Sequence, residues 1–288
     1  LAYNSVGGFE AVKSAIVAKE ISLSLFPEDF SLLAIISAVA WGLGYFGQPH
    51  ILARFMGIES PEKISRAMKI AVAWVFISLG GAVIIGLISV PMFDNLTGGN
   101  QEKVFIYMIE QLFNPWIGGI LLAAILSAIM STIDSQLLVS SSALTEDFYS
   151  KIINKDASEE ELMWVGRVCV LIISAIALFL ALSGSNTVLG LVAYAWGGFG
   201  AAFGPIVLFA LFSKNTSWQS ALAGMIAGTL VLVVWKQLGL GSTLYEIVPG
   251  FIANVTTIAT VDLFVTEDST EVVTEFEEFE EVTAGINE

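Results

Sequence analysis

The stretch VCVLIISAIALFLALSGSNTVLGLVAYAWGGFGAAFGPIVLFALFS, residues 168–213, runs for 46 residues without a Lys, Arg, Asp or Glu. Crossing a hydrocarbon core takes roughly 20 apolar residues in a helix, so this run holds two crossings with SGSNT as the turn between them. Residues 70–93 add another 24 uncharged positions. Over all 288 residues, 56% are apolar and 14% charged, against about 45–50% and about 25% in an average soluble domain. Mean hydropathy is +0.80. These values argue against a soluble globular enzyme and for an all-α polytopic membrane protein.

Working outward, nearly uncharged windows predict seven spans, at about 30–47, 70–93, 117–139, 162–182, 188–212, 218–235 and 247–265. The last is the weakest, diluted by Asn254, Thr256, Thr257, Thr260 and Asp262. Arg167 lies in the first turns of the fourth, close enough to its end to snorkel. Between the second and third spans, QEKVFIYMIEQLF (101–113) has a helical apolar period, which predicts an amphipathic surface helix that Asn114-Pro115 breaks.

Charge sets the orientation. Arg54, Lys63, Arg66, Lys69, Lys151, Lys155, Arg167 and Lys214 fall on one side, against Lys13, Lys19, Lys103 and Lys236 on the other. The positive-inside rule assigns the first group to the cytoplasm. Segment 1–29 is then outside and the C-terminus inside. The net charge of −15 is concentrated at the end, because residues 266–288 hold nine acidic residues and no basic one. That tail spaces Val272, Phe276, Phe279 and Val282 as an amphipathic helix would, or it is a solvated disordered segment. With no basic stripe, nucleic acid is not an expected partner. The chain opens Leu1-Ala2-Tyr3 without Met, basic leader or cleavage site, and is expected to lack its beginning.

The catalytic inventory is nearly empty. His50 reads as an interfacial residue, and the single Cys169, inside an apolar run, as packing. No phosphate-binding glycine loop, metal cluster or nucleophile set is present, so neither an enzyme nor a bound cofactor is expected.

Polarity inside the spans is more informative. In LLAAILSAIMSTIDSQLLVSSSALTEDFY (121–149), the Ala128 carbonyl points toward the hydroxyls three and four residues on, Ser131 and Thr132. Three hard oxygens converge, which suits a small hard cation with further ligands from elsewhere. Helix-packing hydroxyls explain the same spacing. Asp134 tips the reading toward function, since a carboxylate within a span marks an ion or proton pathway by default. In the first span, WGLGYFGQP (41–49) places Gly42, Gly44, Gly47 and Pro49 in one crossing, the pattern of a discontinuous helix lining a site. Trp41, Tyr45 and Pro49 are four apart and share one face if the helix holds. That face suits a small, partly apolar zwitterion, or is an aromatic packing stripe. In the fifth span, Gly200 and Gly204 predict a close helix–helix contact.

GLGYFGQPHILARFMG (42–57), ILSAIMSTIDSQLLVSSSALTEDFY (125–149), AYAWGGFGAAFGP (193–205) and YEIVPGF (245–251) resemble the sodium:solute symporter family. More narrowly, they resemble its proline-carrying branch. The resemblance runs from about residue 6 to 250 and gives nothing for the last span and tail. It implies a leucine-transporter-like fold of two inverted five-helix repeats with the site at the midplane. The chain would supply the second repeat (30–212), two peripheral helices (213–265) and an acidic cytoplasmic tail (266–288), with the first repeat missing. Ala128, Ser131 and Thr132 would form this repeat's half of a sodium site, and Trp41, Tyr45 and Pro49 the proline-contacting face. No family role falls on Asp134, which we expect to tune the cation site or add a second. The implied activity is Na⁺-driven uptake of L-proline across the cell (inner) membrane. Partners would be L-proline, Na⁺ as coupling ion, the lipid bilayer and the missing N-terminal half. Other solutes of the family (pantothenate, sugars, sialic acid) and a transporter-like sensor are the alternatives.

Overall fold

The computed structural model describes residues 1–22, 24, 31–93, 96, 99–183, 187–214, 216–265, 273–274 and 276–279. Among these the secondary structure is helical throughout, with no strand. The chain divides into two compact units, Leu1–Ser22 with Val75–Thr187 and Leu23–Trp74 with Val188–Glu288.

The first unit opens with a short helix α1 (Ala2–Ser5) and α2 (Gly8–Ala18). Beyond α2, Lys19 donates to the carbonyls of Val90 and Phe93 at 2.8 and 3.0 Å. The second unit opens with α3 (Leu32–Ala40), a 3₁₀ segment Trp41–Gly47, and α4 (Pro49–Met56). This is the expected discontinuous span: α3 and its 3₁₀ extension are bent by 58° against α4. The helix does not hold across 41–49, so the even four-residue spacing of Trp41, Tyr45 and Pro49 does not place them on one face. Pro49 instead occupies the first turn of α4, where its missing N–H is not needed.

α5 (Glu62–Ser89) starts eight residues before the expected boundary, and the division between units falls within it. In the first unit, a 3₁₀ turn Asn100–Lys103 leads into α6 (Val104–Leu112), the expected amphipathic helix, which buries Met108 and Ile109. Asn114 then starts α7 (Pro115–Ser142), its side chain accepting from the N–H groups of Trp116 and Ile117, both at 3.1 Å. α7 continues as a π-helical segment, Ala143–Ile153, well past the expected end at 139. α8 (Glu159–Ser183) packs back along it.

The second unit closes with α9 (Val188–Phe212), α10 (Trp218–Gln237) and α11 (Ile247–Val261). Among the described residues, five helices are long and apolar enough to cross a membrane: α5, α7 with its extension, α8, α9 and α10, or six with the bent pair taken as one span. The expected seventh span is shorter than its apolar window: α11 has 15 residues, about 22 Å against a hydrocarbon core of about 30 Å. The tail spacing rests partly on Val272 and Val282, which lie outside the described residues.

Small residues set the packing of α9 to α11, as the glycines of the fifth span led us to expect. A Cβ on Gly200 would come within 2.6 Å of Ile247 and 2.8 Å of the Gly44 backbone. One on Gly228 of α10 would lie 2.6 Å from the Ala201 carbonyl. The helices touch at backbone distance because nothing projects there. Pro205, inside α9, has no N–H to give the carbonyl four residues back, Ala201. Asn254 of α11, fully buried, supplies the donor: its amide nitrogen bonds the Ala201 and Ala202 carbonyls at 2.7 and 2.8 Å. The polar residue that weakened the seventh span in sequence is therefore the pin that seats it.

Replacing Asn254 with Leu removes both bonds, and should cost about 1–2 kcal/mol in denaturant unfolding. Adding Pro205→Ala returns an N–H to Ala201 and should recover part of that loss. A double-mutant cycle showing no coupling between the two would contradict this account.

Candidate functional site

The break in the first span is built around Trp196 of α9. Its indole stacks on Trp41 (centroids 5.8 Å apart, 15° between planes) and meets Tyr45 edge-on (4.8 Å, 85°). Its Nε1–H donates to the Trp41 carbonyl at 2.9 Å. In return Gln48, nearly fully buried, donates from Nε2 to the Trp196 carbonyl at 3.3 Å. Gly44 is obligatory here, since a Cβ on it would fall inside the Trp196 ring. The indole is thus wedged into the irregular turns, and its polar edge satisfies a main-chain carbonyl there.

Tyr245, before α11, also stacks with Trp41 (5.9 Å, 20°). Its hydroxyl donates to the Ala193 carbonyl at 2.6 Å, and its N–H to Ser37 Oγ at 3.0 Å. Burial, helped by the neighbouring Glu246 charge, raises its pKa well above the ordinary tyrosine range, so it stays a protonated donor. Glu246 is itself buried and paired with Lys236 at 2.8 Å. The structure therefore joins Trp41 and Tyr45 through Trp196, and places Pro49 outside this ring set, at the start of α4. Trp196, Tyr245 and Gln48 were not picked out from sequence as site residues. Their signals were an aromatic among glycines in AYAWGGFG (193–200) and an aromatic opening YEIVPGF (245–251).

The second group lies in α7, in the other unit. Ser131 Oγ donates to the Ala128 carbonyl at 2.9 Å, and Thr132 Oγ1 reaches the same oxygen at 3.5 Å. The expected convergence of three oxygens is present. Both hydroxyls are turned back on their own helix, the resting state of such groups without water. A cation at this notch needs only a rotation of each hydroxyl to expose its lone pairs. Ser135 is bonded likewise to the Ser131 carbonyl at 2.8 Å. Ala128, Ser131, Thr132 and Asp134 are all exposed in this chain.

Long apolar helices, a span broken at an aromatic cluster, and inward-turned hydroxyls on another span define a multi-pass α-helical membrane protein. A sequence model of the sodium:solute symporter family matches residues 2–228, and the chain belongs to that family. It is 52% identical over 255 residues to the sodium/proline symporter of Escherichia coli (strain K12), covering 86% of this chain and 50% of that protein. The sodium/proline symporter of Salmonella typhimurium (strain LT2) is 51% identical over 253 residues, with coverage of 86% and 50%. The high-affinity proline transporter of Bacillus subtilis (strain 168) is 47% identical over 253 residues, covering 87% and 54%. The chain thus spans about half the length of the curated relatives it matches.

Gly44→Ala should disorder the Trp41–Trp196 stack and lower the near-ultraviolet circular dichroism of the aromatics. Gly42→Ala, where a Cβ meets nothing within 4 Å, should leave that signal unchanged. Equal spectra for the two variants would refute the wedge.

Proposed function

We propose that this chain provides the second five-helix repeat, residues 30–212, of a sodium-coupled symporter that carries L-proline inward across the cell (inner) membrane. In this reading residues 213–265 are peripheral, 1–29 lie outside, and the acidic tail, 266–288, is cytoplasmic, as the Lys/Arg bias suggests. The repeat is taken as one half of a leucine-transporter-like inverted pair. The remaining length of the relatives supplies the other. The chemistry is transport, with no bond made or broken and no resident cofactor.

The observation that carries the reading is the broken span with its aromatic cluster. Discontinuous helices at membrane depth are where transporters of this kind hold substrate. Trp41 and Tyr45 offer an aromatic wall to a pyrrolidine, and the start of α4, where the Ile51 and Leu52 N–H groups bond Gln48, leaves the His50 N–H and a positive helix end for a carboxylate. The relatives at about half identity are named for proline and sodium, which supports the same assignment. Ala128, Ser131 and Thr132 contribute three of the roughly five oxygens a Na⁺ ion takes, and the remainder come from the other repeat. Na⁺ binding favours the outward-open state, proline binds that state better, and by linkage each raises the other's affinity. An inward Na⁺ gradient then drives uphill uptake. Asp134, two residues past the notch, tunes this site or adds a second.

The test is radiolabelled proline uptake into proteoliposomes, with the reading frame extended upstream to the relatives' length. Uptake that requires an inward Na⁺ gradient and is competed by unlabelled proline is expected; sodium-driven uptake of a different solute would discard proline. Ser131→Ala and Thr132→Ala should each raise the half-saturating Na⁺ concentration about tenfold or more, worth roughly 1.4 kcal/mol. Proline KM at saturating Na⁺ should change far less, and equal effects on both would indicate a packing role. Asp134→Asn should shift the sodium dependence, and an unshifted curve would remove Asp134 from the cation path.

A further inference from the structure

α7 with its π-helical extension and α8 form an antiparallel pair within the first unit. The Tyr149 hydroxyl and the Asn154 amide both donate to the Glu161 carboxylate, at 2.6 and 3.1 Å. Further along, a Cβ on Gly166 would rest 3.5 Å from Thr145 Oγ1. Between the helices lies an open groove of about 690 Å³.

Its lining changes character along the helices. Leu138 and Val170 stand at one end, Ser142, Thr145, Glu146 and Arg167 in the middle, and Leu162, Met163 and Glu159 toward the other end. Thr145 is only 4% exposed, yet its hydroxyl has no partner among the described residues. Arg167 lies 5.0 Å over the Trp164 ring. None of the ion pairs among the described residues involves Arg167, Glu146 or Glu159. The neighbouring charges are committed elsewhere: Glu161 as above, and Asp147 to Lys151 at 2.6 Å. Arg167 is also the last charge before the uncharged run of α8. Glu146 is the first charge after a run that, Asp134 aside, extends back to Glu110. The groove therefore straddles the level where apolar helix gives way to headgroup.

A buried hydroxyl without a partner costs about 1–3 kcal/mol, which an acceptor oxygen relieves. A guanidinium forks onto phosphate, and carboxylates outside close ion pairs accept from a primary ammonium. We propose that this groove binds a zwitterionic aminophospholipid of the phosphatidylethanolamine class. Its acyl chains run along Leu138 and Val170. Its phosphate and glycerol oxygens meet Arg167 and the Thr145 hydroxyl. Its ammonium points to Glu146 and Glu159. A choline headgroup has no N–H to give and satisfies only half of the site.

Native mass spectrometry of the full-length protein, exchanged in detergent against phosphatidylethanolamine or phosphatidylcholine, tests this without any variant. Retention of the ethanolamine lipid should exceed that of the choline lipid about tenfold, and equal retention of the two overturns the proposal. Arg167→Gln and Glu146→Gln should bring the ethanolamine lipid down to the choline level, with Thr145→Val losing part of it. Retention unchanged in all three would likewise overturn it, as would no retained lipid at all, which would mean that protein fills the groove. Displacement by soluble sn-glycero-3-phosphoethanolamine would reassign the groove to a soluble phosphoamine and remove the lipid. The readout is independent of transport, so a failure of the proline reading leaves it standing.

Discussion

An unpaired peptide group in hydrocarbon costs several kcal/mol, and this chain answers the constraint with named side chains at its departures from straight helix. Where the first span tightens and breaks, the Trp196 indole donates to the Trp41 carbonyl. Where Pro205 interrupts α9, Asn254 donates to Ala201 and Ala202. Where α7 begins, Asn114 takes the free N–H groups of its first turn. The irregular geometry that can make a site, and the side chains that permit it, belong to one solution.

The hydroxyls of α7 follow the opposite logic. The helix there is regular, its carbonyls are engaged, and Ser131 and Thr132 add donors to an acceptor that needs none. Such bonds are individually weak and easily exchanged. A notch of this kind is stable by itself and costs the backbone nothing. The aromatic cluster is held more firmly: Trp41 stacks with both Trp196 and Tyr245.

How much of this was legible in sequence depends on the range of the interaction. Uncharged runs report burial in lipid directly, so the long helices and the broken span were readable from composition and from Gly and Pro spacing. Local caps such as Asn114 were visible as breaks. The π-helical continuation of α7 beyond residue 142 was not, because ALTEDFYSKII (143–153) reads as a polar exit and its helicity comes from packing against α8. The roles of Trp196 and Tyr245 are not legible from their own neighbourhoods. Nothing local ties residue 196 to residue 41, and the contact exists only through the glycines that let α9 approach. Asn254 was misjudged for the same reason. As a polar residue it lowered the apparent quality of α11, while its partner is a carbonyl orphaned by a proline on another helix.

That last bond also imposes an order on synthesis. α9 is made with its Ala201 carbonyl already stripped of a donor by Pro205, and the amide that fills the gap emerges 53 residues later. At translation rates of about 5–20 residues per second, the carbonyl stays uncapped for roughly 3–10 s. Over that interval the nascent α9 must sit where water or the insertion machinery can serve the open carbonyl. It can settle fully into lipid only after α11 arrives. α11, only 15 residues long, thereby acts as the step that commits α9 to the membrane.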